Sequence, residues 1–297
     1  MRKIKKNKKN LKTLHNSYKY IIYFCAIFFV FNFFVEKIAN QNQGKNAPQV
    51  QNINYNQAQS YKPDPLLNKT KKNIENKNVN NFKNLSVKER KQEFISNLLP
   101  IIHSANQDII EKRNLFFKIE KKIQNNNLNV LESSILKKLF NEYRVKNNDL
   151  SELKKRIDIV PISLVIAQAA IESGWGTSRF AKEGNAYFGQ KVIGLKANGI
   201  TPSEIDNPSI KVRSFKNLND SVKAYLNNLN THFAYKSFRK SRNELRSFGR
   251  TLEGEKLAKG LKKYSELGNE YIINIQEIIK KNNLSKYDFI EYSSAER

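Results

Sequence analysis

The chain has 297 residues, with 53 Lys+Arg against 27 Asp+Glu for a formal net charge of +26, and a single Cys. One thiol excludes an internal disulfide framework and a Cys-rich zinc site, and 11 Gly with 7 Pro exclude a collagen-like chain. The charge is uneven: residues 1–81 hold 15 Lys+Arg and 3 Asp+Glu, whereas residues 82–297 hold 38 and 24.

Residues 1–19 form a basic tail with eight cations, from Arg2 to Lys19, and no acid. Tyr20–Val35 (YIIYFCAIFFVFNFFV) follows, with Asn32 its one strongly polar residue. A basic flank before an apolar run is the positive-inside arrangement, which holds the N-terminus in the cytoplasm and exports the rest. Sixteen residues are short for a spanning helix and long for a signal core. Lys37 would occupy the −3 position for cleavage after Ala39, which disfavours cleavage, and Tyr18, Lys19 and Lys37 lengthen the span by snorkelling. Residues 20–37 are therefore expected to be a transmembrane signal-anchor in the inner membrane, single-pass, with the remainder in the periplasm. Cys25 falls inside this run. Residues 38–82, rich in Asn, Gln and Lys and punctuated by Pro48, Pro63 and Pro65, carry too few large apolar groups to offset their ordering entropy and read as a disordered linker.

Residues 83–158 read as an N-terminal helical region of the soluble domain. Ser86 and Glu89 have capping-box spacing, and Val87, Phe94, Ile95, Leu98 and Leu99 recur near helical period. Pro100 is expected to start a second helix running to about Gln124, followed by short helices over residues 129–147 and 149–158. Val160–Ile171 (VPISLVIAQAAI) differs: it is apolar or small nearly throughout, with Pro161 suited to its first turn and Gly174 to its stop, so the helix is buried all round. Glu172 lies at its C-terminal end. The negative end of the helix dipole and partial desolvation both disfavour a charged carboxylate there and keep it protonated, as a general acid for glycosidic cleavage must be. The competing reading pairs Glu172 with Arg179 as a structural ion pair.

Thr177-Ser178 caps a short helix that Gly184-Asn185 ends. Gln190–Lys196 and Ile210–Lys216 are strand-like and flank a polar tip carrying Glu204 and Asp206, predicting a two-stranded hairpin. Asn219-Asp220 is expected to cap a helix bearing Val222, Tyr225, Leu226 and Leu229. Basic helices over 236–247 and 254–263 and a last amphipathic helix, Tyr271–Lys281, complete an α+β chain that is mostly α. His103 and His232 read as packing or helix-end residues. No Ser-His-Asp or Cys-His constellation, no metal site and no phosphate-binding loop is indicated, so no cofactor is expected.

The segment LVIAQAAIESGWGTSRFAKEGNAYFGQK, residues 164–191, resembles the glucosaminidase domain of glycoside hydrolase family 73, the bacterial peptidoglycan hydrolases. LLPIIHSANQDIIEKR at 98–113, YLNNLNTHFAY at 225–235 and TLEGEKLAKGLKKYSELGNEYIINIQEIIKKNNL at 251–284 are similar to the Bax-type branch of that family. The resemblance implies a lysozyme-like helical lobe with a small β-lobe and a glycan groove between them, the catalytic domain spanning residues 159–290. It implies an endo-β-N-acetylglucosaminidase that cleaves the β-1,4 bond after N-acetylglucosamine, with Glu172 as proton donor. Tyr264, in the Tyr-Ser-x-x-Gly-x-x-Tyr block, matches the family tyrosine lining the groove, and Asn185, Phe188 and Gly189 match the Asn-x-x-Phe-Gly signature. Tyr187 fits either the core or a sugar platform; Trp175 is expected to pack behind the acid. Glu204 best fits the place of a second catalytic carboxylate, with Asp206 next, and both also read as solvated loop acids. Neighbouring-group help from the substrate's N-acetyl oxygen is the remaining route. The implied partners are peptidoglycan strands and, through the anchor, the inner membrane; export leaves no role for nucleic acid. A weakly active or non-catalytic wall-binding scaffold is the alternative reading.

Overall fold

The computed structural model describes residues 85–203, 207 and 209–292. The tail, the apolar run of Tyr20–Val35 and the linker lie outside the described residues, as do Glu204 and Asp206. Among the described residues, no helix is long and apolar enough to cross a membrane.

Helix α1 runs unbroken over Val87–Gln124. Ser86 starts it as the sequence predicts: its hydroxyl accepts from the Glu89 N–H at 3.3 Å, and the Glu89 carboxylate accepts from the Ser86 N–H at 2.8 Å. The break expected at Pro100 does not occur. Proline inside a helix costs about 3 kcal/mol through its lost donor and ring clash. Leu98, Leu99 and Ile102 on either side of it are all buried, and burying such side chains is worth about 1.5–3 kcal/mol each, so packing carries the helix through.

Two short helices follow, α2 over Val130–Glu142, capped by Asn129 and Glu132, and α3 over Leu150–Arg156. Helix α4, Ile162–Ser173, is the buried axis of the domain, with every residue from Ile162 to Ala170 out of solvent. It ends at Gly174 in the left-handed conformation. Helix α5, Arg179–Gly184, starts at Ser178 and ends at left-handed Asn185.

The expected hairpin is a three-stranded antiparallel sheet: β1 (Lys191–Ile193), β2 (Gly199–Ile200) and β3 (Ile210–Arg213), in the order β1-β3-β2. Strand β2 was not legible because only two residues pair, Gly199 opposite Arg213 and Ile200 opposite Val212. The approach is close enough to require glycine, since a β-carbon at Gly199 would stand 2.5 Å from the Val212 carbonyl oxygen.

Helix α6 spans Leu218–Thr231 and is capped by Asn217 rather than Asn219; the Asn217 side chain accepts from the Asp220 N–H at 2.9 Å. A 3₁₀ turn at Phe233–Tyr235 leads into α7, Lys236–Ser247. The expected helix near 254–263 is α8, Gly254–Leu257, continued by a 3₁₀ turn, and α9 (Asn269–Lys281) and a 3₁₀ turn at Leu284–Phe289 close the domain. Residue 158 marks no packing boundary: Phe94, Leu99 and Leu153 belong to the same buried cluster as Ile166, Leu226 and Ile275.

One buried carboxylate in this core is held by arginines. Asp158, 2% exposed, takes two hydrogen bonds from Arg246, at 2.9 and 3.1 Å, and lies 3.6 and 4.0 Å from Arg113 and Arg242. Arg242 also donates to the carbonyls of Lys155, Asp158 and Ile159, and Arg239 to those of Leu229 and His232. Two cations of the basic helix α7 thus serve the ends of neighbouring helices.

Candidate active site

Glu172 sits in the last turn of α4, mostly buried, where the chain reverses through Gly174, Trp175 and Gly176, all with positive φ. Its Oε1 accepts a hydrogen bond from the Tyr271 hydroxyl at 2.7 Å. Arg179 is occupied elsewhere, 3.8 Å from Glu183 and donating to the Thr201 carbonyl at 2.9 Å. Burial pushes the Glu172 carboxyl above the usual carboxylate range, and the Tyr271 bond partly opposes that. Gly189 lies against the other oxygen: a β-carbon there would stand 2.9 Å from Oε2.

Four tyrosines surround the acid. The Tyr264 and Tyr271 rings stack 5.5 Å apart, and the Tyr264 hydroxyl donates to the Phe188 carbonyl at 2.8 Å. Tyr225 stacks on Phe188 at 4.0 Å, and Tyr235 lies 5.9 Å from Tyr264. Burial raises the pKa of all four, so they act as neutral hydroxyls.

A groove of about 1230 Å³ opens beside Glu172 and is lined by Phe188, Gly189, Tyr235 and Tyr264. Its further walls come from α1 (Asp108, Lys112), the turn after α2 (Arg144), the sheet (Lys191, Arg213), α6 (Lys223) and the loop of Ser265–Leu267. The size suits several linked sugars, being larger than the roughly 300–1,000 Å³ of small-ligand pockets. Asp108 pairs with Lys223 at 2.8 Å and Glu142 with Lys112 at 2.5 Å, whereas Glu266 has no ion pair among the described residues. These three groove acids were missed by sequence reasoning because nothing in their local pattern marks them; the fold brings them there.

The named residues divide. Glu172, Tyr264 and Phe188 face one groove. Tyr187 is buried against Phe94, with ring centroids 6.0 Å apart, and is no sugar platform here; burial pushes its hydroxyl up to about 12. Asn185 is a helix end whose side chain donates to the Phe215 carbonyl at 3.1 Å. Trp175 packs edge-on against Phe94 at 5.4 Å, with Lys91 over its face, away from the groove. His232 ends α6 and its Nδ1 accepts from the Ala234 N–H at 3.3 Å, yet it also lines the groove. Tyr271 closes the Tyr-Ser-x-x-Gly-x-x-Tyr block and opens the last helix read from the sequence, but neither it nor Gln168 was given a role at the site. No group of three or more metal-binding side chains occurs among the described residues.

Comparison with known proteins follows the same lines. Residues 147–284 match the family model named glucosaminidase and described as mannosyl-glycoprotein endo-β-N-acetylglucosaminidase. Protein bax of Escherichia coli strain K12 is 36% identical over 188 residues, which make up 61% of this chain and 66% of that protein, slightly under two thirds of its length. Among solved structures, the catalytic domain of the autolysin Auto from Listeria monocytogenes is 17% identical and aligns with 68% of this chain and 90% of its own, at a TM-score of 0.39.

Proposed function

We propose that the protein, whose residues 147–284 match the glucosaminidase family model, is a peptidoglycan hydrolase of that family, an endo-β-N-acetylglucosaminidase that cuts the β-1,4 bond after N-acetylglucosamine. The observation that carries this reading is the state of Glu172: a mostly buried carboxyl at a helix end, hydrogen-bonded by a neutral tyrosine and opening into a long groove. Glu172 donates its proton to the glycosidic oxygen as the C–O bond breaks, and the electron pair stays on that leaving oxygen. The bond from Tyr271 strengthens as the carboxylate forms, because a charged acceptor binds a donor more tightly. Tyr264 and Phe188 form part of the sugar-binding wall, within a lysozyme-like two-lobed arrangement. The anomeric carbon is attacked by water that Glu204 or Asp206 deprotonates, by one of those carboxylates as nucleophile, or by the substrate's own N-acetyl oxygen, whose cyclic oxazolinium product water then opens.

Purified sacculi incubated with the protein and analysed by mass spectrometry test this. New N-acetylglucosamine reducing ends, lost in Glu172→Gln, are expected; ends consisting only of N-acetylmuramic acid or its 1,6-anhydro form would refute the bond assignment. Glu204→Gln and Asp206→Asn separate the three routes: if neither substitution lowers turnover, the N-acetyl route remains. Sacculus binding with no turnover in wild type would instead identify a wall-binding scaffold.

The site in the cell belongs to the same proposal and is supported by sequence alone. The basic tail and residues 20–37 hold the domain on the periplasmic face of the inner membrane. Resistance to alkaline extraction, with digestion of the domain by protease only after the outer membrane is opened, is the expected result.

A further inference from the structure

Gln168 lies one turn before Glu172 on α4 and has no solvent exposure. Both ends of its amide are engaged by tyrosines. The Tyr225 hydroxyl donates to Oε1, and Nε2 donates to the Tyr271 hydroxyl at 3.0 Å. An amide nitrogen cannot accept, so the Tyr271 oxygen accepts a hydrogen bond from Gln168 and turns its own hydrogen outward. That hydrogen meets Oε1 of Glu172 at an oxygen–oxygen distance of 2.7 Å. Tyr225 occupies the amide oxygen in this orientation, which leaves Nε2 to face Tyr271.

We propose that Gln168, hydrogen-bonded by Tyr225, is a positioning residue that aims the Tyr271 hydroxyl at Oε1 of Glu172 and so assigns the transferable proton to Oε2. This rests on the reading of Glu172 as the acid. Oε2 is the oxygen beside Gly189, where the missing side chain leaves room. In the cleavage step the proton passes from Oε2 to the leaving oxygen, and the charge left on the carboxylate is held at Oε1 by Tyr271. The chain Tyr225–Gln168–Tyr271–Glu172 runs from three buried residues to the acid at the groove, and its buried part has little freedom to rearrange. The titratable groups facing Glu172 are the hydroxyls of Tyr271 on α9, Tyr264 before it, Tyr225 on α6 and Tyr235 in the turn after α6; burial keeps all four protonated at neutral pH.

The test uses the full chain with Gln168→Met and Tyr225→Phe, each alone and combined with Tyr271→Phe. Neither substitution adds a charge. Two readouts are taken: the Glu172 titration by carbon-13 NMR, assigned with Glu172→Gln, and the pH profile of sacculus hydrolysis. In Gln168→Met the Glu172 titration and the high-pH fall in activity are expected to move together to higher pH. The expected fall in kcat is about tenfold, the scale of one hydrogen bond to a charged group, with KM little changed. Tyr225→Phe should shift both in the same direction by less, and it carries the test if Gln168→Met does not fold. With Tyr271 already replaced by Phe, neither change should move the titration further. A loss of kcat with an unmoved titration, or an equal shift with and without Tyr271, overturns the proposal. Since the titration is read without turnover, a wild-type chain that cuts no glycan would refute the proposed function and leave this inference decidable.

Discussion

At Gly189 the backbone has φ +60°, and the site has no room for a β-carbon beside Oε2 of Glu172. Gly189→Ala is expected to cost about 1–2 kcal/mol from the left-handed conformation alone and to lower kcat by more than this instability accounts for, since the new methyl displaces the carboxyl. Thermal unfolding alongside steady-state kinetics separates the two effects; a stability loss with unchanged kcat would remove the steric argument. The pH dependence of Glu172 follows from its raised pKa. On the proposed reading the acid form is the active one, so activity is expected to decline as pH rises through the folded pKa, which lies above the ordinary carboxylate range. Glu172 was legible in the sequence because an acid ending an apolar helix before Gly-Trp-Gly is a local pattern. Tyr271 was not, because its hydroxyl reaches Glu172 across 99 residues of chain.

The element that presents the acid is held at both ends. At the N-terminus of α4, Asp288 accepts from the Ser163 N–H at 2.9 Å, the Ser163 hydroxyl at 2.6 Å and the Gly254 N–H at 2.8 Å. Burial raises the Asp288 pKa to about 6 despite these bonds. Its folded pKa exceeds the unfolded value of 3.8, so the native state binds more protons between them. Stability from this group is full below that unfolded value and is lost as pH rises through about 6, a change on the order of 3 kcal/mol. Glu172, also raised, acts in the same direction. Urea midpoints are therefore expected to fall from about pH 4.5 to pH 7, and Asp288→Asn should flatten that slope; an unchanged slope would show that the Asp288 carboxyl does not titrate as a buried group. Elements with local signals were legible, including the Ser86–Glu89 box and the Gly174 stop. The cap of α6 fell two residues from its expected place because Asn217 and Asn219 are chemically equivalent candidates, and only the helix packing selects one.

Across the whole described domain, Asp158 and the arginines around it join α1, α3 and α7. Burial alone would raise the Asp158 carboxyl, but Arg113, Arg246 and Arg242 outweigh it and hold the pKa at about 2. This depressed group has the opposite sign from Asp288: its contribution is present above 3.8 and is lost as pH falls toward 2. Asp158→Ala leaves Arg242 buried without its carboxylate, and removing one partner of such a cluster costs about 3–5 kcal/mol. Chemical denaturation should read a loss of that size, and a change below about 1 kcal/mol would mean that the carbonyl partners of the arginines suffice. The cluster also alters the meaning of the charge. Of the surplus in residues 82–297, Arg113, Arg239 and Arg242 lie in the interior, while Arg144, Lys191 and Arg213 line the groove.

The sequence by itself determined the helical class, the buried helix with its terminal acid, most helix ends and the resemblance to the glucosaminidase family. These depend on period, caps and short motifs, which act within a few residues. Tertiary structure alone decided that α1 passes through Pro100, that a third strand pairs at Gly199, that Tyr187 is core while Tyr264 is groove, and that Gln168 reaches Tyr271 and Tyr271 reaches Glu172. Each of those depends on a contact between segments far apart in the chain, where burial and hydrogen-bond geometry override local preference.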